Sequence, residues 1–124
     1  MGGCPDTGSS WLLQQRIGAG AAKLLVMTGR EISGRTAREM GLVEDCVLSG
    51  QTEATAMALA AEIAANPLFG VVSSKRVMRE VAECSFDQAL EIEGRAQTIL
   101  LCAHDFPEAM DAFSEKRKPQ FRDR

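Results

Sequence analysis

Glycine, proline and capping residues divide this sequence into short stretches of helical periodicity, with almost no run of strand-like alternation between them. A chain punctuated in this way buries its apolar residues mainly by packing helix on helix. The apolar content fits that route. It makes up 45% of the residues, comes from Ala, Leu, Val, Ile and Met, and includes only 5% aromatic residues and no Tyr. That mixture favours helices over a β-sandwich. At 124 residues the chain is expected to form one domain, with residues 1–50 and 51–124 as its two parts.

The punctuation locates the helices. Ser9 or Ser10 is the expected cap of a short helix with Trp11, Leu12 and Leu13, which Gly18 stops. Gly20 opens a second helix through Ala22, Leu24, Leu25 and Val26 to Gly29. Ser33 caps a two-turn helix that Gly41 ends, and "LVEDCV" after it is the one strand candidate. "QTEATAMALAAEIAA", residues 51–65, is helical by propensity until Asn66-Pro67 breaks it. Asn66 is then the expected cap of a helix over 67–82, with Leu68, Val71, Val72, Met78 and Val81 on one stripe. "SFDQ" has the form of a capping box for a helix over 86–102 that carries Leu90, Ile92, Ala96, Ile99 and Leu100. "DFPE" repeats the device with Asp105 and Glu108, ahead of Ala109, Met110, Ala112 and Phe113.

Several function classes are set aside at once. With 14 basic and 17 acidic residues the net charge is -3, so no general field draws nucleic acid or an anionic membrane. Lys75, Arg76 and Arg79 make a basic patch without the aromatic partners that base stacking needs. Cys4, Cys46, Cys84 and Cys102 are scattered, and His104 does not complete a zinc set with them, so no metal is expected. Free thiols suit a reducing cytoplasm. No apolar run approaches the eighteen or so residues of a membrane span, and no secretory leader is recognised. Gly2-Gly3-Cys4 reads as a leader or a truncation point.

Two separated motifs carry a family resemblance. "PDTGSSWLLQQRIGAGAAKLLVMTGREISGRTAREMGLVEDCV" resembles the stretch of the enoyl-CoA hydratase/isomerase (crotonase) superfamily that runs proline, loop, arginine and Ile-Gly, then a helix into Leu-x-x-Thr-Gly, and later Gly-Leu-Val. "DFPEAMDAFSEKRKPQF" is similar to the family's closing pattern of an acid, a helix with Ala-Phe, Glu-Lys-Arg and Pro-x-Phe. "SGRTA" departs from the more usual Ala-x-Glu-Ala. The resemblance covers nearly all of this chain and about the C-terminal half of a family member. The implied fold is mainly α, a multi-helix C-terminal region of a crotonase-like fold with at most one short strand or hairpin, without the N-terminal β-β-α spiral.

The resemblance also implies a chemistry. Family members process acyl-CoA thioesters through a stabilised enolate, by hydration or double-bond migration, as lyases or isomerases of fatty acid metabolism. They use no covalently bound cofactor, and coenzyme A enters as part of the substrate. Their oxyanion hole and two catalytic glutamates lie on segments ahead of Pro5, so this chain alone is expected to be inactive. Family members assemble as trimers, often paired into hexamers, and a homo-oligomer is expected here. The alternative is a non-catalytic helical oligomerisation or binding module derived from the family.

Two residues stand out as site candidates. In some superfamily members a loop like "PDTGSS" offers an aspartate that shuttles a proton or attacks, which would make Asp6 catalytic. The other reading is that Asp6 closes an Asx-turn with Thr7 and Gly8. The lysine of the Glu-Lys-Arg motif lies near the adenosine phosphate end of coenzyme A in the family, which makes Lys116 the candidate phosphate contact. "KRK" at 116–118 is otherwise a solvated basic terminus. His104 beside Asp105 reads as a dyad or as a surface histidine, and Trp11 as an acyl-pocket wall or a packing anchor.

Overall fold

The computed structural model describes residues 3–122, so Gly2 of the Gly2-Gly3-Cys4 stretch lies outside the described residues. Six α-helices follow in order: α1 (Ser9–Thr28), α2 (Gly34–Glu39), α3 (Thr52–Ala64), α4 (Leu68–Glu80), α5 (Phe86–Leu101) and α6 (Asp105–Glu115), with a 3-10 turn at Val81–Glu83. The chain divides into two compact units, Met1–Thr52 and Glu53–Arg124. Among the described residues no single helix is long and apolar enough to cross a membrane.

In the first unit, α1 is two helical arms joined across Gly18, whose φ of 76° and ψ of 158° are not helical. A side chain there would be strained, which is why the break falls on glycine. Leu13, Ile17, Ala21, Leu25, Ile32, Met40, Leu42 and Val47 are half-buried, and Ala22 and Ala37 are buried. Ser33 caps α2 as expected, accepting the Thr36 N–H at 3.1 Å. Gly41, at φ 77°, closes α2 with the paired bonds of a Schellman turn: Leu42 N–H to the Ala37 carbonyl at 2.8 Å and Gly41 N–H to Arg38 at 3.0 Å.

Two expectations for this unit are corrected. Gly8 is the cap of α1, and Ser9 turns its hydroxyl back to the Asp6 carbonyl at 2.7 Å instead of capping. The strand candidate "LVEDCV" is bend and extended coil, because among the described residues no strand lies beside it to complete a ladder.

In the second unit, α4 packs on α5 and α5 on α6. The capping box is formed: Ser85 accepts the Gln88 N–H at 3.3 Å, and the Gln88 side chain accepts the Ser85 N–H at 2.9 Å. Asn66 acts on the other side of its helix break from the one expected. Its amide donates to the carbonyls of Glu62 and Ile63 and so finishes α3, leaving Pro67 as the α4 cap. The apolar stripes are only partly covered. Val71 and Val81 are half-buried while Leu68, Val72 and Met78 stay exposed, and Ile92, Ala96 and Leu100 are half-buried while Leu90 and Ile99 stay exposed. α3 buries no residue at all.

The uncovered surface is large in absolute terms. The chain exposes 10098 Å². Two independent globules, each of half its 13.4 kDa mass, would together expose about 7,800 Å². More than 2,000 Å² therefore lies beyond what self-contained folding leaves open, and Met27, Met78, Phe86 and Phe113, all more than 70% exposed, add apolar area to the open surface.

Candidate functional site

Asp6 begins a tight turn. Its carbonyl accepts the Ser9 N–H at 2.9 Å across Thr7 (φ 51°) and Gly8 (φ 86°), the two left-handed residues of a type I′ turn. The turn is thus closed by backbone and not by the carboxylate, as an Asx-turn would be. The exposed carboxylate accepts from the Thr7 hydroxyl at 3.4 Å, its one side-chain hydrogen bond among the described residues. Close by in sequence, Pro5 lines a cavity of about 160 Å³ between the two arms of α1, with Leu13, Ala22, Val26 and Met27. That volume is below the range of small-molecule sites. Trp11 does not line it and is half exposed.

Arg16 fixes the loop after α2. Its guanidinium pairs with Glu44 and reaches the Leu42 carbonyl at 3.4 Å. The hydrogen bond from Arg16 holds the Glu44 carboxyl below its usual range. The arginine of the Arg-Ile-Gly motif therefore works within the fold, joining α1 to the segment after Gly41.

At the chain's other end, Asp105 and Glu108 do not cap α6, whose cap position is His104 without a side-chain capping bond. Both carboxylates hold the C-terminal tail instead. Glu108 grips Arg117 through both oxygens, at 2.6 and 3.1 Å, and accepts the Gln120 N–H at 2.6 Å. Asp105, only 5% exposed, accepts the Arg122 N–H at 2.8 Å. Arg117 also donates from Nε to Glu115 at 2.5 Å. The guanidinium and the Gln120 N–H hold the Glu108 carboxyl down to about 2, and Glu108 and Glu115 together hold Arg117 more firmly protonated.

Lys116 sits between these anchors. It ends α6 in the left-handed conformation, φ 55° and ψ 37°, and Thr7 is the other non-glycine residue of positive φ among those described. Arg117 N–H to the Ala112 carbonyl at 3.0 Å and Lys116 N–H to Phe113 at 3.3 Å complete a Schellman turn built on lysine where glycine is usual. "KRK" thus does not offer three equivalent cations. Arg117 is taken up by two carboxylates, and Lys116 and Lys118 remain exposed.

The lesser candidates separate. His104 Nδ1 lies 3.3 Å from Asp105 Oδ1, the same oxygen that takes Arg122 N–H, so this aspartate serves the tail as well as the histidine. Lys75, Arg76 and Arg79 border an open depression of about 500 Å³ in which Arg76 is paired with Glu80 at 3.1 Å. The four cysteines are free thiols, and among the described residues no three His, Cys, Asp or Glu side chains gather where they could hold a metal ion. The tail staple escaped the sequence because its partners, Arg117 and two backbone N–H groups, stand at spacings with no helical meaning.

Comparison with known proteins decides the lineage. The family Enoyl-CoA hydratase/isomerase matches residues 1–124, the whole chain. The chain belongs to the enoyl-CoA hydratase/isomerase family. Among its relatives, 1,2-epoxyphenylacetyl-CoA isomerase of Escherichia coli is 31% identical over 98% of this chain and 46% of its own length. Short-chain-enoyl-CoA hydratase of Clostridium acetobutylicum is 33% identical over 95% and 45%. The crystal structure of enoyl-CoA hydratase from Bacillus anthracis superposes with a TM-score of 0.94 at 32% identity, over 99% of this chain and 48% of that one. The chain spans about half the length of the relatives it matches and is a helical region of the crotonase fold.

Proposed function

We propose that this chain is the helical part of an acyl-CoA thioester-processing enzyme of hydratase or isomerase type, working through a stabilised enolate and inactive by itself. The observation that carries the reading is the match of the entire chain to the enoyl-CoA hydratase/isomerase family, with a backbone that follows a solved hydratase at a TM-score of 0.94. In this reading the helices close over an acyl-CoA whose thioester oxygen is stabilised by donors outside this chain. Lys116 meets the adenosine phosphate of coenzyme A, and Asp6 is the candidate proton carrier. Its carboxylate lies exposed on the turn ahead of α1, open to a substrate held beside it. Homo-oligomerisation as a trimer or hexamer, a cytoplasmic location and a place in fatty acid metabolism belong to the same proposal. The surface excess also favours a second reading, a non-catalytic helical assembly module.

Incubation of the chain with crotonyl-CoA, following loss of the conjugated thioester absorbance with the solution mass recorded in parallel, tests the reading. It predicts no turnover above buffer. Steady turnover lost in Asp6→Asn would refute inactivity while supporting Asp6. An oligomer with neither turnover nor coenzyme A binding would favour the assembly module.

A further inference from the structure

We infer that Glu108 is a positioning residue for coenzyme A recognition: by gripping Arg117 and the Gln120 N–H, it fixes the left-handed turn from which Lys116 is presented. The inference rests on the proposed contact between Lys116 and a phosphate of coenzyme A.

A lysine at φ 55° is in a conformation that L-residues avoid, so this turn persists only if both flanks hold it. The near flank is the last turn of α6, through the Phe113 and Ala112 carbonyls. The far flank is Arg117, and its guanidinium is fixed by the forked bond to Glu108 and by Glu115. Glu108 then takes the Gln120 N–H on the oxygen nearer Arg117 Nη1, so one carboxylate fixes the chain at two points past Lys116. Arg117 is thereby withdrawn from any anion, and Lys116 is left exposed at a defined place. A cation that keeps one location meets a phosphate at a smaller entropic cost than one on a loose tail. Glu108, which could itself repel a phosphate, is neutralised by the partner it positions.

The test is calorimetric titration of the full chain with coenzyme A and with 3′-dephospho-coenzyme A, for the unmodified protein and for Lys116→Ala, Glu108→Gln, Glu108→Ala and the Glu108→Ala/Lys116→Ala double variant. Lys116→Ala is expected to lower the preference for coenzyme A over the dephospho form about tenfold, the scale of one charged hydrogen bond. Glu108→Ala should lower the same preference while leaving the dephospho form's affinity unchanged, Glu108→Gln should restore part of it, and the double variant should lose no more than Lys116→Ala alone. A purely structural role would weaken both ligands equally. If Lys116→Ala abolishes the preference while Glu108→Ala leaves it intact, or if the two losses add, positioning by Glu108 is overturned and the Lys116 contact stands. If Lys116→Ala has no effect, or the chain binds neither ligand, the contact itself is refuted and the inference falls with it. Hydrogen exchange at the Gln120 amide reports separately whether Glu108→Ala has released the tail.

Discussion

Replacing Asp105 with alanine should release the end of the chain, and its cost can be worked from the contacts. Asp105 is 5% exposed and its Oδ1 accepts the Arg122 N–H at 2.8 Å, a charge-assisted bond that the substitution removes whole while leaving a part-buried donor without its acceptor. Such bonds contribute about 1.5 to 3 kcal/mol. The contact to His104 adds little, since that ring is 42% exposed and the 3.3 Å separation is long. A negative side chain in the first turn of α6 adds roughly 0.5 kcal/mol through the helix dipole. Asp105→Ala should therefore destabilise by about 2 to 3.5 kcal/mol, a fall in Tm of roughly 8 to 13 °C for a chain of this size. Asp105→Asn keeps an acceptor oxygen and should cost about half as much. Urea denaturation of the three proteins, with hydrogen exchange at Arg122, measures both effects. A cost below about 0.5 kcal/mol for Asp105→Ala, or an equal cost for the two variants, would refute the staple.

Three further outcomes are expected. Ser85→Ala opens the capping box at the start of α5 and should cost about 1 kcal/mol in denaturant unfolding, whereas an unchanged midpoint would mean that α5 does not depend on its cap. Lys116→Gly relieves the left-handed strain and should raise stability by about 0.5 to 1 kcal/mol, after allowing for the freer unfolded chain, while losing whatever affinity for coenzyme A the ammonium supplied; destabilisation would show that the lysine packs more than it strains. Glu108 is held below its ordinary 4.5, to about 2, so its contribution to tail attachment is complete above about pH 4.5 and fades as pH falls through about 2. Protection of the Gln120 amide, taken against its intrinsic exchange rate at each pH, should fall progressively between about pH 4.5 and 2, and a loss already above about pH 5 would contradict it.

Where the sequence was legible, the signal was local. The break at Gly18, the Ser33 cap, the Gly41 stop and the Ser85–Gln88 box each rest on residues within one turn of one another, and each formed as read. The misreadings came where one pattern serves two geometries. Asp-x-x-Glu at a helix start is the same string whether the acids cap the helix or hold a returning tail, and Asn66 ahead of Pro67 serves equally to finish one helix or to begin the next. Periodicity identified the apolar stripes of α4 and α5 but not how much of each is covered, because coverage depends on surfaces remote in sequence. Of the candidate site, Lys116 and Asp6 were visible through the family's motifs. The Glu108–Arg117 grip that sets the Lys116 turn spans nine residues and a chain reversal, and no spacing rule announces it.

The measurement that bears most directly on the central claim is calorimetric titration of the purified chain with crotonyl-CoA, with Lys116→Ala as the control and the solution mass recorded alongside. The account predicts saturable binding that weakens about tenfold in Lys116→Ala, without turnover. A well-folded protein that binds no acyl-CoA, or binds it equally well without the Lys116 ammonium, would contradict it.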